Sequence, residues 1–168
     1  NYSHAEGSDT TASGYYSHAE GYQTTASGYY SHAEGSGTTA SGYYSHAEGD
    51  NTNSNNYSNS HVEGIGTTAG NDYQHVQGKY NIEDTTNTYA HIVGGGTSSS
   101  NRKNIHTLDW NGNAVFSGDV TATNPDGTEV SLLSLQSVLN SIQVQNFYTG
   151  ISTPSDTLGE DGDLYLIT

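Results

Sequence analysis

Five pairs of the form His-x-Glu stand at His4/Glu6, His18/Glu20, His32/Glu34, His46/Glu48 and His61/Glu63. Two altered copies follow, His75/Gln77 and His91/Val93. On an extended strand, residues two apart point the same way, so each imidazole shares a face with its carboxylate. That pairing supports three chemistries. It has metal-ligand spacing, because imidazole nitrogen and carboxylate oxygen both bind borderline divalent ions. It can form a ladder of hydrogen-bonded pairs, whose worth when buried is register more than stability. It can also titrate, since histidine changes charge near pH ~6.5. Tandem copies of one motif point to structure rather than to several identical active sites. We therefore expect the ladder, with an acid-sensitive assembly, and assign neither a metal nor a cofactor.

A repeat must position these pairs. Ser-His-Ala-Glu-Gly occupies residues 3–7, 17–21, 31–35 and 45–49, a spacing of 14. Between the copies, Thr-Thr-Ala-Ser-Gly occupies 10–14, 24–28 and 38–42. Glycine thus falls on every seventh residue from Gly7 to Gly49. A period held this long dictates the fold. The runs are rich in Tyr, Ser and Thr, and glycine interrupts any helix. Each unit reads as two short strands, with glycine supplying the positive φ of the turns. Stacked at ~4.8 Å per coil, such units make a narrow parallel β-roll. The expected fold class is all-β.

Strand alternation sends Ser17 and Ala19 inward, and Tyr16, His18 and Glu20 outward. A roll this thin has room inside only for small groups. Alone it buries too little apolar surface to offset the entropy of ordering it. Identical chains can supply the missing surface by symmetry.

The paired motifs resemble the head repeats of YadA-type trimeric autotransporter adhesins over roughly residues 1–106. There the motif reads roughly SVAIG, with a second short strand ending in glycine. The resemblance implies a left-handed parallel β-roll that trimerises through the two outward residues of that motif. His18 and Glu20 stand where the family places Val and Ile, as do His4/Glu6, His32/Glu34 and His46/Glu48. The implied trimer core is therefore polar in these coils. It continues through His61, Glu63, His75, Gln77, His91 and Val93. Threefold symmetry would bring three His or three Glu to one axis, where a ladder between chains would form.

Composition bounds the function. The 168 residues are only 30% hydrophobic, with one Trp and two Phe, but 14 Tyr and a strict period argue for order. The formal charge is −15, and Lys79, Arg102 and Lys103 are the only basic side chains of the Lys/Arg type. Nucleic acid and anionic membrane are disfavoured as partners. There is no cysteine, hence no disulfide framework. No apolar run has the length of a membrane span. The chain opens in mid-repeat without Met, and we expect it to be a piece of a longer protein.

Further along, residues 50–60 break the period, because His61 follows His46 by 15. This reads as a longer turn on the flank, with a ligand-contacting loop as the sharper alternative. The inward residue then grows from Ala to Val62, Val76 and Ile92, giving a better-packed end. Tyrosines at 2, 16, 30, 44, 73 and 89 predict a stacked column. Residues 94–104 read as a flexible exit. Asn111-Gly112 between apolar-alternating runs predicts a hairpin. The stretch Ile105–Val120 resembles a segment of tail and structural proteins of phages and prophages of Gram-positive bacteria. Asn124-Pro125-Asp126-Gly127 is a turn, and Leu132, Leu135, Leu139 and Ile142 form an a/d seam. Two heptads are marginal alone, so this helix needs a three-stranded bundle. The end alternates as Asp163-Leu164-Tyr165-Leu166-Ile167 and resembles small terminal modules of phage tail fibres.

Four segments result: β-roll repeats over 1–106, a hairpin connector over 107–128, a short trimeric coiled coil over 129–145 and a small β module over 146–168. The predicted trimer interface comprises the His/Glu series together with Leu132, Leu135, Leu139 and Ile142. An enzyme is not expected. The Glu residues form a regular column rather than a solitary pair in a cleft. No nucleophile elbow, phosphate loop or calcium-repeat pattern is present. The expected role is a non-enzymatic homotrimeric fibre segment of a phage or prophage tail, contacting a bacterial surface receptor or glycan. The alternatives are the head of a bacterial cell-surface adhesin and a purely structural spacer.

Overall fold

The computed structural model describes residues 2–134. The chain divides into two compact units, Asn1–Gly118 and Asp119–Thr168. The first unit is a β-solenoid that alternates long and short strands. These are β1 (His4–Ser8), β2 (Thr11–Ala12), β3 (His18–Tyr22), β4 (Thr25–Ala26), β5 (His32–Ser36) and β6 (Thr39–Ala40). The long strand recurs as β7 (His46–Asp50), β8 (His61–Ile65), β9 (His75–Lys79) and β10 (Tyr89–Gly95). All these long strands pair in parallel and in register, so His18 lies over His32 and Glu20 over Glu34. The short wall continues below β6 as single bridges from Thr39 to Asn53 and from Asn53 to Thr68.

The interior is as small as the alternation requires. Ala19, Ala33, Ala47, Val62, Val76 and Ile92 line one wall, and Ala26, Ala40 and Ala69 the other, all fully buried. Thr24, Thr38, Thr52 and Thr67 fill the space beside them. At the corner, Ser17 Oγ donates to the Gly14 carbonyl at 2.8 Å, and Ser31 and Ser45 repeat this bond to Gly28 and Gly42. The growth from Ala to Ile is real on the long wall. The opposite wall changes differently, into a polar network. Gln74 takes the serine place and Asn81 the threonine place, both buried. Gln74 Nε2 donates to Asp84 Oδ2 and to the Tyr89 carbonyl, each at 2.9 Å.

Asp84 pins the longer loop that follows. Its carboxylate also accepts from the amides of Thr86, Thr88 and Tyr89 and from the Thr86 hydroxyl. Burial pushes this carboxyl up, but those hydrogen bonds outweigh it and hold Asp84 below its ordinary value of 3.8.

The glycines do two jobs, and only one matches the expectation of positive φ in the turns. Gly21 lies inside β3 at φ 113°. A Cβ there would stand 2.1 Å from the Gly35 carbonyl oxygen. Gly28 has no positive φ, yet its Cβ would stand 1.9 Å from the Gly42 carbonyl oxygen. It is there for close backbone approach between coils. The left-handed corners belong largely to other residues, among them Gln23 at φ 54°, Tyr30 at 59° and Asn59 at 55°. Each points its N–H at the preceding coil: Gln23 to Ser8, Tyr30 to Tyr15 and Asn59 to Tyr43, at 2.8–2.9 Å. Those bonds and ring stacking offset a conformation that otherwise costs of order 1–3 kcal/mol.

Several expectations are corrected here. Residues 50–60 do hold a longer turn, closed by the Tyr57 N–H to the Ser54 carbonyl at 3.2 Å, but it is longer by a single residue and stays part of the coil. Thr52 and Ser54 stay buried in the coil, and Tyr57 takes the place below Gly42, so the extra residue sits between 54 and 57. Residues 94–104 are an ordered turn rather than a flexible exit. Gly95 N–H bonds Lys103 O at 2.8 Å, and Arg102 Nη1 donates to the carbonyls of Gly66 and Asn81 at 2.9 and 3.1 Å. The tyrosine column runs through Tyr2, Tyr16, Tyr30 and Tyr44, with ring centroids 5.0–5.2 Å apart. Tyr89 does not join it; it packs against the core instead.

β11 (Asn104–Asp109) runs antiparallel to β10, and β12 (Ala114–Phe116) antiparallel to β11, closing the sheet with a hairpin. The second unit contains a separate hairpin. β13 (Thr121–Thr123) pairs antiparallel with β14 (Glu129–Ser131), across a turn in which Gly127 N–H bonds Asn124 O at 2.9 Å. Residues 129–131 are therefore strand, where the sequence predicts helix. A helical turn covers residues 132–134. Leu135, Leu139, Ile142 and the segment 146–168 lie outside the described residues.

Two tests follow from the packing. Gly28→Ala places a methyl group against backbone that cannot retreat, and should cost about 1–3 kcal/mol. Gly118, with open space and no positive φ, is the control and should tolerate Ala without measurable loss in urea unfolding. Asp84→Asn strands amide donors and should cost about 1–3 kcal/mol. Because the folded Asp84 value lies below the unfolded one, its contribution is full above 3.8 and is lost as pH falls through the folded value. Unfolding midpoints of Asp84→Asn and the parent should therefore converge in acid below that value.

Candidate functional site

The outward face of the long strands carries the only row of imidazoles in the chain. Parallel, in-register pairing stacks His4, His18, His32, His46, His61, His75 and His91 ring on ring, with centroids 4.7–5.1 Å apart. The row does not stop where the repeat stops. Antiparallel β11 sets His106 against His91 at 5.5 Å, and β12 sets Phe116 against His106 at 4.5 Å. The 14-residue period gives no sign of these two, because they enter from the opposite strand direction.

The carboxylates connect the coils diagonally within one chain. Glu20 Oε1 lies 3.7 Å from His32 Nε2, and Glu34 Oε1 lies 3.4 Å from His46 Nε2. Glu48 and Glu63 come closer and close hydrogen bonds, to His61 at 3.3 Å and His75 at 3.2 Å. The top pair is different: His4 and Glu6 meet side by side at 3.9 Å and are well exposed. The ladder expected between chains is thus formed by the chain itself. Gln77 and Val93 end the carboxylate series, so His91 has no carboxylate on its diagonal.

Four covered imidazole nitrogens make no hydrogen bond. Nε2 of His18, His32 and His46 is covered by neighbouring atoms yet has no hydrogen-bond partner, as is Nε2 of His91. Ligand atoms of His18, Glu20 and His32 lie within 4.8 Å of one another, as do those of His32, Glu34 and His46. Of the remaining predicted interface residues, Leu132 is exposed, in the second unit. Leu135, Leu139 and Ile142 fall outside the described residues.

A second aromatic row was not foreseen. Tyr15, Tyr29 and Tyr43 form a row with centroids 5.1 Å apart, Tyr15 edge-on to Tyr29 and Tyr29 stacked on Tyr43. Its signal was the Tyr-Tyr doublet in each unit. A shallow cleft beside β10–β12 is lined by Tyr89, Ile105, His106 and Val115, among others, and no carboxylate reaches it.

Residues 5–31 and 33–52 match the YadA head domain repeat, in two copies. The roll carries YadA-like head repeats. Neither a curated protein nor a solved structure matches the chain. The repeat belongs to a structural, adhesin-type β-solenoid, and among the described residues the chain has almost no helix.

Stacking imidazoles has an electrostatic consequence at two of them. Burial, then the neighbouring imidazoles His61 and His32, hold His46 below its ordinary value, against the pull of Glu48 and Glu34. Burial, then His75 and His106, hold His91 down likewise, against Glu63. A folded value below the unfolded 6.5 means that stability is full above 6.5 and is lost as pH falls through the folded value. The melting temperature should therefore drop between about pH 7 and about pH 5. His91→Gln should blunt that drop. A midpoint flat across this range would rule the mechanism out.

Proposed function

We propose that this chain is a non-enzymatic adhesive fibre segment, built as a parallel homotrimer of left-handed rolls around the His/Glu face. The observation that carries it is the match of the YadA head domain repeat to residues 5–31 and 33–52 of a roll whose motif face is polar. The energetics support assembly. Each buried methyl group contributes about 0.8 kcal/mol, against about 1–2 kcal/mol to order each residue's backbone. A core made mostly of Ala, Thr and Ser is therefore thin, and three chains would share the burden by covering one face of each coil. The interface would comprise His4/Glu6, His18/Glu20, His32/Glu34, His46/Glu48, His61/Glu63, His75/Gln77 and His91/Val93. It would continue into a short coiled coil through Leu132, Leu135, Leu139 and Ile142.

The reading places the segment on a bacterial cell surface, presenting its tyrosine-lined flanks to a receptor or glycan. Its anionic character, −15 overall, keeps such a fibre soluble and disfavours nucleic acid as a partner. A second reading, a phage or prophage tail fibre, draws on the Ile105–Val120 segment and its resemblance to tail proteins. The two share fold, assembly and adhesive role, and differ in the particle that carries them.

Light scattering on the purified chain should give three times the chain mass. A monomer at micromolar concentration would overturn the trimer. The purified chain should bind bacterial cells or a glycan array; absence of binding would leave a spacer in place of an adhesin.

A further inference from the structure

We propose that the upper part of the His/Glu ladder, from His18 to His46, is a binding site for one first-row divalent cation of the zinc class. The inference uses contacts inside one chain and holds whether or not chains assemble.

The argument begins with a contrast along the face. The lower rungs are closed: His61 and His75 hydrogen-bond Glu48 and Glu63. The upper rungs are open. Nε2 of His18, His32 and His46 is covered but makes no hydrogen bond; His32 and His46 stand 3.7 and 3.4 Å from Glu20 and Glu34, and the Glu20 oxygen lies within 4.8 Å of a His18 nitrogen. A covered nitrogen lone pair without a donor or acceptor is a cost, unless something else occupies it. Here the unoccupied atoms cluster, and the clusters are of mixed composition. Each is two imidazoles and one carboxylate: His18, Glu20 and His32, then His32, Glu34 and His46.

The distances suit an ion. Nitrogen and oxygen on a tetrahedral zinc stand about 3.4 Å apart, given bonds of about 2.0–2.2 Å to each. The pairs Glu20–His32 and Glu34–His46 stand at 3.7 and 3.4 Å. The third ligand, the stacked imidazole one coil away, must tilt inward from a ring spacing of 4.8 or 4.7 Å. Those side chains are about one-third exposed, 34% for His32 and for His46. The donor set selects the ion: two imidazoles and a carboxylate suit zinc, cobalt or nickel, whereas calcium and magnesium want oxygen throughout. Remaining positions would be filled by water.

The geometry also limits the number. His32 belongs to both triads, and a single Nε2 lone pair serves one ion. The two triads are therefore alternatives, and the chain takes one ion here. His91 Nε2, though unpartnered, has Gln77 rather than a carboxylate on its diagonal and is outside the site.

The test uses the full chain stripped with EDTA, titrated with zinc ion against a chromophoric chelator, and separately with cobalt(II) followed by visible absorption. The expected result is one zinc per chain, with cobalt bands of mixed nitrogen and oxygen coordination. Glu20→Gln or Glu34→Gln alone leaves one triad and retains binding. The double variant Glu20→Gln/Glu34→Gln loses it, and His32→Asn loses it by a second route, each with circular dichroism matching the parent. The lower-rung double variant Glu48→Gln/Glu63→Gln retains it. Three results would overturn the proposal. They are no zinc uptake by the parent, a stoichiometry that follows the total histidine count, or equal loss from the upper and lower double variants.

Discussion

Two peptide backbones can pass as closely as those of Gly21 and Gly35 only if the first carries no Cβ. That single steric condition organises the roll. Every coil is held against the next by carbonyls that sit where a methyl group would be, at 2.1 Å over Gly21 and 1.9 Å over Gly28. Where both contacts are present, as with Gly7/Gly14, Gly21/Gly28 and Gly35/Gly42, a slip of one residue would bring a Cβ onto a carbonyl, so the register is held. In-register parallel pairing then follows for the whole long wall. The chain accommodates extra residues where the short wall has thinned to single bridges or ended, one between 54 and 57 and two more between His75 and His91.

Fixed register makes like stack on like. That is favourable inside, where Ala meets Ala and Val meets Val. It is favourable on the flank, where Tyr16, Tyr30 and Tyr44 stack in a left-handed corner conformation that would otherwise be costly. On the motif face it is a constraint. Glu20 lies over Glu34 and His18 over His32, so identical ionisable groups meet at every step. The diagonal contacts relieve part of this by giving each of several carboxylates an imidazole from the next coil. At His46 burial and the neighbouring imidazoles outweigh that carboxylate pull and hold its value below the ordinary one.

What was legible in the sequence was whatever the period expresses. Ser17 and Ala19 inside, His18 and Glu20 outside, and the Ala-to-Ile growth of the long wall all derive from alternation and a repeat of 14. What was not legible depends on tertiary contacts that break the period. Glycine by its type signals a turn, but at Gly28 its reason is a carbonyl from the next coil. The serine-rich stretch before Arg102 has a flexible composition, but a guanidinium reaching back to Gly66 and Asn81 fixes it. Glu129–Ser131 has helix-compatible residues, yet the Asn124–Gly127 turn returns it against Thr121–Thr123 as a strand. Local propensity was outweighed each time by a partner distant in sequence. The diagonal ladder was foreseen in composition but placed between chains, since alternation alone cannot say that Glu20 reaches His32.

The polar face sets terms for whatever covers it. At neutral pH the carboxylates of Glu6, Glu20, Glu34, Glu48 and Glu63 are a row of negative charge. No Lys or Arg precedes Lys79 to balance them. Laying identical faces together would bring such rows close in a medium of reduced dielectric, where repulsion grows. An apolar version of the motif meets no such resistance, and burial alone drives it together. With His and Glu in those places, contact between faces requires the carboxylates to keep their imidazole partners, or to take up protons or cations. Cohesion of this face is therefore tied to the ionic conditions around it in a way that an apolar seam is not. The gradient along the roll follows the same logic. Gln77 and Val93 remove charge where the core grows largest, so the end that packs best internally is also the end whose outer face is least costly to cover.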